Sequence, residues 1–257
     1  MFQEERQNKI VEIVSRRKSV KVRELSELFE TSEATIRRDL EELDGRNRII
    51  RTHGGAIAVY SVSKEISAPE LISTLKCIEE KKRISRRAYE DIQDYDTLIL
   101  DSSSTVDELV KLIAAGDRRH LTIVTQTPRA VTYLENLSDC RVILLGGVFN
   151  YVHNIVEGPM ATNAIRGLRA DKCFIGINGI EPGLGYSTPR LEDAEMKALM
   201  IRSSHMSYLL ADHTKFDRTY FARVDAEVDC IITDTRRSNV SYAWLEERTK
   251  LVFADEG

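Results

Sequence analysis

The apolar positions of this chain change period partway along it. In residues 3–17, Ile10, Ile13 and Val14 recur at helical spacing and predict an amphipathic helix. Ser19-Val20-Lys21-Val22 reads as a short break, after which Val22, Leu25, Leu28 and Phe29 mark a second, shorter apolar face. Glu30-Thr31 makes a turn. Ile36, Leu40 and Leu43, at i, i+4 and i+7, then predict a third helix. Ser32 is its N-cap, and Glu33 in its first turn suits the positive end of the helix dipole. Ile49-Ile50-Arg51-Thr52-His53 reads as a strand, Gly54-Gly55 as a tight turn using positive φ, and Ala56-Ile57-Ala58-Val59 as a returning strand. Three helices with a tight turn between the last two, followed by a hairpin, is the order of a winged helix-turn-helix.

Beyond Ser61 to Glu70, a stretch with Ser63, Ser67 and Pro69 that reads as a linker, the pattern differs. Ile78, Ile84, Ala88 and Ile92 lie in a charged, helix-forming segment. Short apolar runs then end repeatedly in polar residues or glycine. Thr97-Leu98-Ile99-Leu100 ends at Asp101, Leu121-Thr122-Ile123-Val124 at Thr125, and Val142-Ile143-Leu144-Leu145 at Gly146-Gly147. Cys173-Phe174-Ile175 ends at Gly176, Tyr208-Leu209-Leu210-Ala211 at Asp212, and Cys230-Ile231-Ile232-Thr233 at Asp234. Amphipathic segments such as Val106–Ile113 and Leu191–Ile201 intervene. This alternation predicts a doubly wound α/β domain with a mainly parallel sheet, whose ligands bind beyond the carboxyl ends of the strands. The expected organisation is an α-rich winged helix-turn-helix over residues 1–58, a linker over 59–74 and the α/β domain over 75–257.

Composition fits a soluble globular protein, with 42% hydrophobic and 30% charged residues among 257, and leaves no apolar run long enough to cross a bilayer. The first residues lack the apolar core of a signal peptide, so a cytoplasmic location with no membrane partner is expected. Cys77, Cys140, Cys173 and Cys230 form no Cys-x-x-Cys pair and the five histidines show no ligand spacing, so no metal or cofactor is expected and buried thiols are. The net charge of −4 argues at first against a nucleic-acid protein. Residues 1–56 carry +1 and the remainder −5, so DNA binding would rest on local basic clusters while an acidic body avoids non-specific binding.

The third helix offers such a cluster. At roughly 100° per residue, Ala34, Arg38 and Glu41 lie opposite the apolar stripe, flanked by Thr35 and Arg37. Small and basic residues at an exposed helix start suit a DNA groove; Arg37 with Glu41 and Arg38 with Glu42 would equally serve as i, i+4 pairs on a plain surface helix. Arg51 and His53, beside the wing's turn, suit phosphate or the minor groove.

In the second half, Asp101-Ser102-Ser103-Ser104-Thr105 falls between a strand and a helix, where hydroxyls and free helix N–H groups make an anion cradle or an ordinary N-cap with extra serines. Lys197 and Lys215 offer cations, or are solvated surface lysines.

Val22-Arg23-Glu24-Leu25-Ser26, Ser32-Glu33-Ala34-Thr35-Ile36-Arg37-Arg38-Asp39-Leu40 and Arg51-Thr52-His53-Gly54-Gly55-Ala56 closely resemble the DeoR family of bacterial transcriptional repressors. The resemblance implies a winged helix-turn-helix whose third helix enters the major groove of operator DNA, with Ser32, Glu33, Ala34, Thr35, Arg37, Arg38, Arg51 and His53 as the DNA-facing set. Lys21 departs from the small polar residue that commonly opens the second helix. The second half resembles the DeoR sensor domain, related to ribose-5-phosphate isomerase, in Asp101–Thr105, Leu121–Thr125, Leu145-Gly146-Gly147, Phe174–Gly179, Glu192–Lys197 and Ala211–Phe216. A phosphorylated sugar is thereby implied as effector, its phosphate held by Ser103, Ser104 and Thr105. Asp101, Thr125, Gln126, Gly146, Gly147, Asn178, Gly179, Lys197 and Lys215 would surround the rest. Ser103 stands where the family usually has glycine, and Gln126 where it usually has asparagine.

The function expected is repression of a carbohydrate operon by a homo-oligomer. An isomerase-like enzyme with an accessory DNA-binding head is the alternative. Related isomerases carry a D-G-A-D-E string where this chain has Asn178-Gly179-Ile180-Glu181-Pro182, so no catalytic residue is assigned.

Overall fold

The computed structural model describes residues 3–17, 19–45, 48–52, 54–57, 76–238 and 240–255. His53 and the expected linker lie outside the described residues. The chain divides into two bodies, Met1–Lys76 and Cys77–Gly257.

The first body contains α1 (Gln3–Arg17), β1 (Ser19–Lys21), α2 (Val22–Leu28), α3 (Glu33–Gly45), β2 (Ile50–Thr52) and β3 (Gly55–Ile57). Its core is the apolar stripe of each helix, with Ile10 and Val14 from α1, Leu25 from α2, and Ile36, Leu40 and Leu43 from α3. Val20, Ile49 and Ala56 close it from the sheet side. The stretch expected as a break is partly a strand. β1 pairs antiparallel with β3, Val20 opposite Ala56, so the wing has three strands in the order β1-β3-β2. Three extended residues are too few to show an alternating pattern against two flanking helices. The expected hairpin turn is present at Gly54, between the paired β2 and β3, but Gly55 does not share it, being the first residue of β3 with a φ that is not positive. A Cβ there would lie 1.9 Å from the carbonyl oxygen of Val20, so glycine serves the close approach of β1.

The second body opens with α4 (Ile78–Glu90), followed by β4 (Thr97–Leu100), α5 (Ser104–Ala115), β5 (Thr122–Thr125), α6 (Pro128–Leu134) and β6 (Arg141–Leu144). A hairpin of β7 (Val148–Asn150) and β8 (Ile155–Glu157) leads to α7 (Pro159–Arg166) and β9 (Ala170–Gly176). Then come β10 (Gly179–Glu181), β11 (Gly185–Thr188), α8 (Leu191–Arg202), β12 (Ser204–Leu210), β13 (Ala222–Arg223), β14 (Cys230–Thr233), α9 (Ala243–Glu246) and β15 (Lys250–Phe253). Seven strands form one sheet in the order β15-β14-β12-β9-β4-β5-β6, every neighbouring pair parallel. β10, β11 and β13 make a small antiparallel sheet of their own.

Burial on both faces explains why these strands read as continuous apolar runs. In β4, Leu98 and Leu100 join the core beneath α4, α5 and α6, while Ile99 joins the core beneath α7 and α8. Phe174 of β9 stacks on Tyr208 of β12 with ring centroids 4.7 Å apart. The chain builds outward from β4 to β6, then returns to the other side of β4 with β9. Strand order therefore reverses between β4 and β9, which opens a crevice at their carboxyl ends.

Among the described residues no helix is long and apolar enough to cross a membrane, and no group of His, Cys, Asp or Glu could hold a metal ion. Cys173 and Cys230 are buried and Cys77 and Cys140 half-buried. Burial pushes the Cys173 thiol up to about 12 and the Cys230 thiol up to about 11, which keeps both out of thiolate chemistry.

Candidate nucleic-acid face and candidate effector site

Ser32 closes the turn before α3. Its hydroxyl accepts the Thr35 N–H at 3.2 Å and lies 2.9 Å from the Thr35 hydroxyl. With the start of the helix fixed, its burial divides as the periodicity predicts. Ile36, Leu40 and Leu43 are buried, while Ser32, Glu33, Ala34, Arg37 and Arg38 are exposed and Thr35 half-exposed. The two arginine–glutamate pairs expected on a plain surface helix do not form. Arg37 instead bonds Glu33 at 3.2 Å, the favourable orientation with the acid N-terminal. Arg38 has no ion pair among the described residues. Glu41 turns toward the wing, 3.5 Å from Arg51, and Asp44 accepts the Arg51 backbone N–H at 3.0 Å. Arg51 is therefore tied to the end of α3 rather than standing apart on the hairpin. His53 lies outside the described residues.

Sequence reasoning missed Asp39. It is 1% exposed and accepts two bonds from Arg6 of α1, at 2.5 and 3.2 Å, and one from Gln7 at 3.3 Å. Hydrogen bonding to Asp39 raises the Arg6 pKa above its ordinary value, so this clamp between α1 and α3 stays charged. Its position, three residues past Ile36 and one before Leu40, puts it on the apolar stripe, and an acid there is the signal that a buried partner exists. Lys21 opens α2 without a side-chain cap, as expected of a residue lacking an acceptor; its N–H donates to Glu24 at 3.4 Å.

Because all seven strands are parallel, their carboxyl ends share one rim. Asp101 follows β4, Thr125 ends β5, Gly146 and Gly147 follow β6, Asn178 follows β9, and Lys215 lies in a 3-10 turn (His213–Lys215) after β12. At the switch point the Asp101 carboxylate, fully buried, accepts the Ser103 N–H at 2.9 Å and the Gly176 N–H at 2.9 Å. It also receives Lys197 from α8 at 2.5 Å. Asp101 and Lys197 thus satisfy each other and lock α5, β9 and α8 together. Ser103 is the N-cap of α5, its hydroxyl accepting the Val106 N–H at 3.4 Å. A Cβ on Gly176 would lie 2.4 Å from that hydroxyl, so Gly176 makes room for Ser103.

The first turn of α5, with Ser104 and Thr105, directs N–H groups and the positive end of the helix dipole at the rim. Gln126, almost fully buried, donates to the Ser102 hydroxyl at 3.2 Å and joins the end of β5 to this cradle. Thr125 is buried, and its hydroxyl accepts the Thr127 N–H at 3.2 Å, which braces the turn into α6. Asn178 accepts from Thr188 at 3.0 Å. A Cβ on Gly179 would lie 2.4 Å from the Arg218 carbonyl oxygen, and one on Gly147 would lie 2.6 Å from that of Glu157; both glycines serve close backbone approach. Gly146 is exposed, with open space where a Cβ would be, two strands along from β4.

Lys215 is partly buried, 4.0 Å from Asp212, whose carboxylate caps the 3-10 turn through the Thr214 N–H at 3.0 Å. A second lysine, missed from sequence, joins it. Lys81 of α4 is 1% exposed and interacts electrostatically with Asp212, Lys215 and Glu108. Burial lowers its pKa to about 8, against the opposing pull of Asp212. One turn further along α4, Ser85 donates to the Thr105 carbonyl at 2.8 Å, which seats this helix against the first turn of α5. Lys81 sits between Ile78 and Ile84 on the inward stripe, and a lysine there was the signal available in the sequence.

Beside the cradle lies a cavity of about 340 Å³ lined by Gln126, Glu157, Asn163, Arg166, Asp193 and Met196, among others. Glu181 lies 3.5 Å from the Thr219 hydroxyl, and Glu195, exposed, pairs with Arg166 at 2.9 Å.

A winged helix-turn-helix with an exposed basic helix face, carried on the same chain as a doubly wound body with an anion-suited rim, defines a ligand-responsive DNA-binding class. The comparisons agree. The DeoR-like helix-turn-helix domain matches residues 6–62 and the DeoR C terminal sensor domain residues 76–235. The chain is 32% identical to the HTH-type transcriptional regulator YulB of Bacillus subtilis, over 99% of this chain and 97% of that one. It is 32% identical to the transcriptional repressor GlcR of the same organism, over 96% and 94%. The glycerol-3-phosphate regulon repressor of Escherichia coli is 31% identical over 91% and 92%. This chain belongs to the DeoR family of transcriptional regulators. A ribose 5-phosphate isomerase from Plasmodium falciparum shows a distant likeness, 17% identical over 54% of this chain and 52% of that one, with a TM-score of 0.38.

Proposed function

We propose that the chain is a repressor of a carbohydrate-metabolism operon whose hold on operator DNA is modulated by a phosphorylated sugar. The observation that carries the reading is the concentration of anion-binding features at one switch point: the α5 N-terminus with Ser103, Ser104 and Thr105, and the Lys81–Lys215 pair. Phosphate docks at the α5 start, balanced by Lys215 and Lys81, while Gln126 and Asn178 address the sugar. Asp101, Lys197, Thr125, Gly147 and Gly179 line the same rim and hold its walls in place, the first two through their mutual bond, Thr125 through its own turn and the glycines through close backbone approach.

In the first body, Ala34, Thr35 and Arg38 enter the major groove, Arg37 and Ser32 approach phosphate beside it, and Arg51 follows from the wing. Residues up to about 58 form the DNA-binding domain and residues from about 75 the effector domain. A homo-oligomer presents paired heads to repeated half-sites in the cytoplasm, and ligand alters DNA affinity through different binding to two arrangements of the assembly. On this reading the chain is a sensor rather than an enzyme, because the relatives it matches along most of their length are transcriptional regulators.

A thermal-shift panel of sugar phosphates against the corresponding free sugars tests the reading. Phosphorylated sugars should raise the melting temperature of the second body and free sugars should not. Equal shifts from both, or none from any phosphate, would overturn it.

A further inference from the structure

The longest stretch of this chain without a charged side chain also carries several of its most exposed apolar residues. Residues 142–156 contain no Asp, Glu, Lys or Arg, in a chain that is 30% charged, and from there to Ile165 only Glu157 interrupts. Glu157 is itself neutralised, accepting from Arg190 at 2.7 Å and from Asn150 at 2.8 Å. The stretch runs from β6, which ends the sheet on its side, through the β7–β8 hairpin into α7. Leu144, Val148, Tyr151, Val152 and Met160 along it are between 42% and 84% exposed.

These side chains are held out on a fixed frame. The Asn150 side-chain oxygen accepts the Val152 and His153 N–H groups at 3.0 and 3.3 Å, which sets the loop that carries Tyr151 and Val152. Phe149 meets the Tyr151 ring edge-on, with centroids 4.8 Å apart. Val148 is paired across the hairpin with Glu157, and Met160 follows in the first turn of α7. The hairpin is anchored to the body where the Val156 N–H donates to the Gln126 carbonyl at 2.8 Å and the Thr127 hydroxyl to the Asn154 carbonyl at 3.3 Å. A loop ordered in this way loses little further entropy when its tyrosine is covered, which is what a binding surface requires.

Area and charge indicate what covers it. At roughly 200 Å² for a whole large side chain, the exposed fractions amount to about 600 Å² of apolar surface on one copy. That matches the largest patch a monomer commonly shows, and two such faces together reach about 1,200 Å², the lower bound of a stable interface. The chain beyond residue 56 carries a net charge of −5. Two copies of so acidic a body meet with least repulsion through an uncharged surface, whereas a partner chosen by opposite charge would find nothing here to pair with. Leu191 and Phe221 are exposed as well, but they stand between Arg190 and Glu192 and between Arg218 and Arg223.

We infer that the β7–β8 hairpin face, with the end of β6 and the start of α7, is the surface through which two copies of this chain associate, the same patch meeting itself about a two-fold axis. It gives the assembly proposed above its contact surface and does not depend on the sugar-phosphate reading.

Sedimentation velocity of the full-length protein at micromolar concentrations tests this. The parent should sediment as a dimer or a multiple of one. In Val148→Lys/Tyr151→Lys, which sets like charges across the axis, self-association should weaken by about 100-fold or more while the far-ultraviolet circular dichroism spectrum stays unchanged. Hydrogen exchange on the parent serves if the double variant does not fold: amides over 148–160 should exchange more slowly as concentration rises through the association. A parent that stays monomeric would overturn the inference and leave the face to a different protein. A variant that associates like the parent, or exchange over 148–160 that ignores concentration, would overturn it equally.

Discussion

Replacing Asp39 by alanine should destabilise the DNA-binding body strongly while leaving the second body intact. Asp39 stands in the Arg37-Arg38-Asp39-Leu40 string beside the candidate DNA contacts, yet it is 1% exposed and is the acceptor that joins α3 to α1 through Arg6 and Gln7. Removing one partner of a buried ion pair costs about 3–5 kcal/mol, because the other charge is left uncompensated. The Arg6 side chain retains 13% exposure and can recover some hydration, which places the expected loss near the lower end, about 3 kcal/mol. A body of this size has roughly 3–8 kcal/mol in total, so the loss is a large share of its stability. The corresponding fall in melting temperature is about 12 °C or more. Far-ultraviolet circular dichroism of the full-length protein should show the helical transition of the head moving down, with operator binding lost at the temperature where the head melts and sugar-phosphate binding retained. Asp39→Asn, which keeps an acceptor for Arg6, should recover part of the loss. A head that melts within about 2 °C of the parent, with DNA preference altered instead, would refute the clamp and make Asp39 a DNA contact.

Three further outcomes are expected. Gly176→Ala should destabilise the second body by about 1–3 kcal/mol through overlap with Ser103; adding Ser103→Gly should restore most of it, and a double variant no more stable than the single one would contradict the packing described. Arg38→Ala should cost about 1–3 kcal/mol of operator affinity and relax the selected sequence, whereas uniform weakening across sequences would assign Arg38 to phosphate. Lys81 is pushed down to about 8 in the folded protein, so between pH 8 and its unfolded value near 10.5 the unfolded chain holds the extra proton and stability rises with pH. In chemical denaturation, Lys81→Met should abolish that rise, about 3 kcal/mol at most, and effector affinity of the parent should fall as pH rises through 8. A parent and variant with the same pH profile would remove Lys81 from the account.

Much of this architecture was readable in the residues, for identifiable reasons. Long periodic segments announced themselves: Ile36, Leu40 and Leu43 on α3, and the apolar runs ending at Asp101, Thr125 and Gly176 on parallel strands buried on both faces. Elements of two to four residues did not. β1 was taken for a break, and the β7–β8 hairpin and the β10-β11-β13 sheet lacked enough residues to display a period. Strand order also lay beyond reach, since pairing is settled by tertiary packing; the position of the switch point between β4 and β9 is a structural finding. At the rim, residue types drew attention to Asp101 and Lys197 but not to their mutual bond, which depends on how α8 packs against β4. Lys81 and Asp39 are charged residues on otherwise apolar stripes, and that mismatch is itself the mark of a buried partner.

The most direct test is fluorescence anisotropy of operator DNA titrated with the full-length protein, with and without a saturating sugar phosphate, in the parent and in Lys215→Ala. Operator affinity of the parent should change by about 5- to 150-fold on addition of the phosphorylated sugar and stay constant with the free sugar. Lys215→Ala should bind operator normally and lose the response. Operator affinity that no sugar phosphate alters, or a Lys215→Ala protein that responds like the parent, would contradict the assignment of the rim as the effector site.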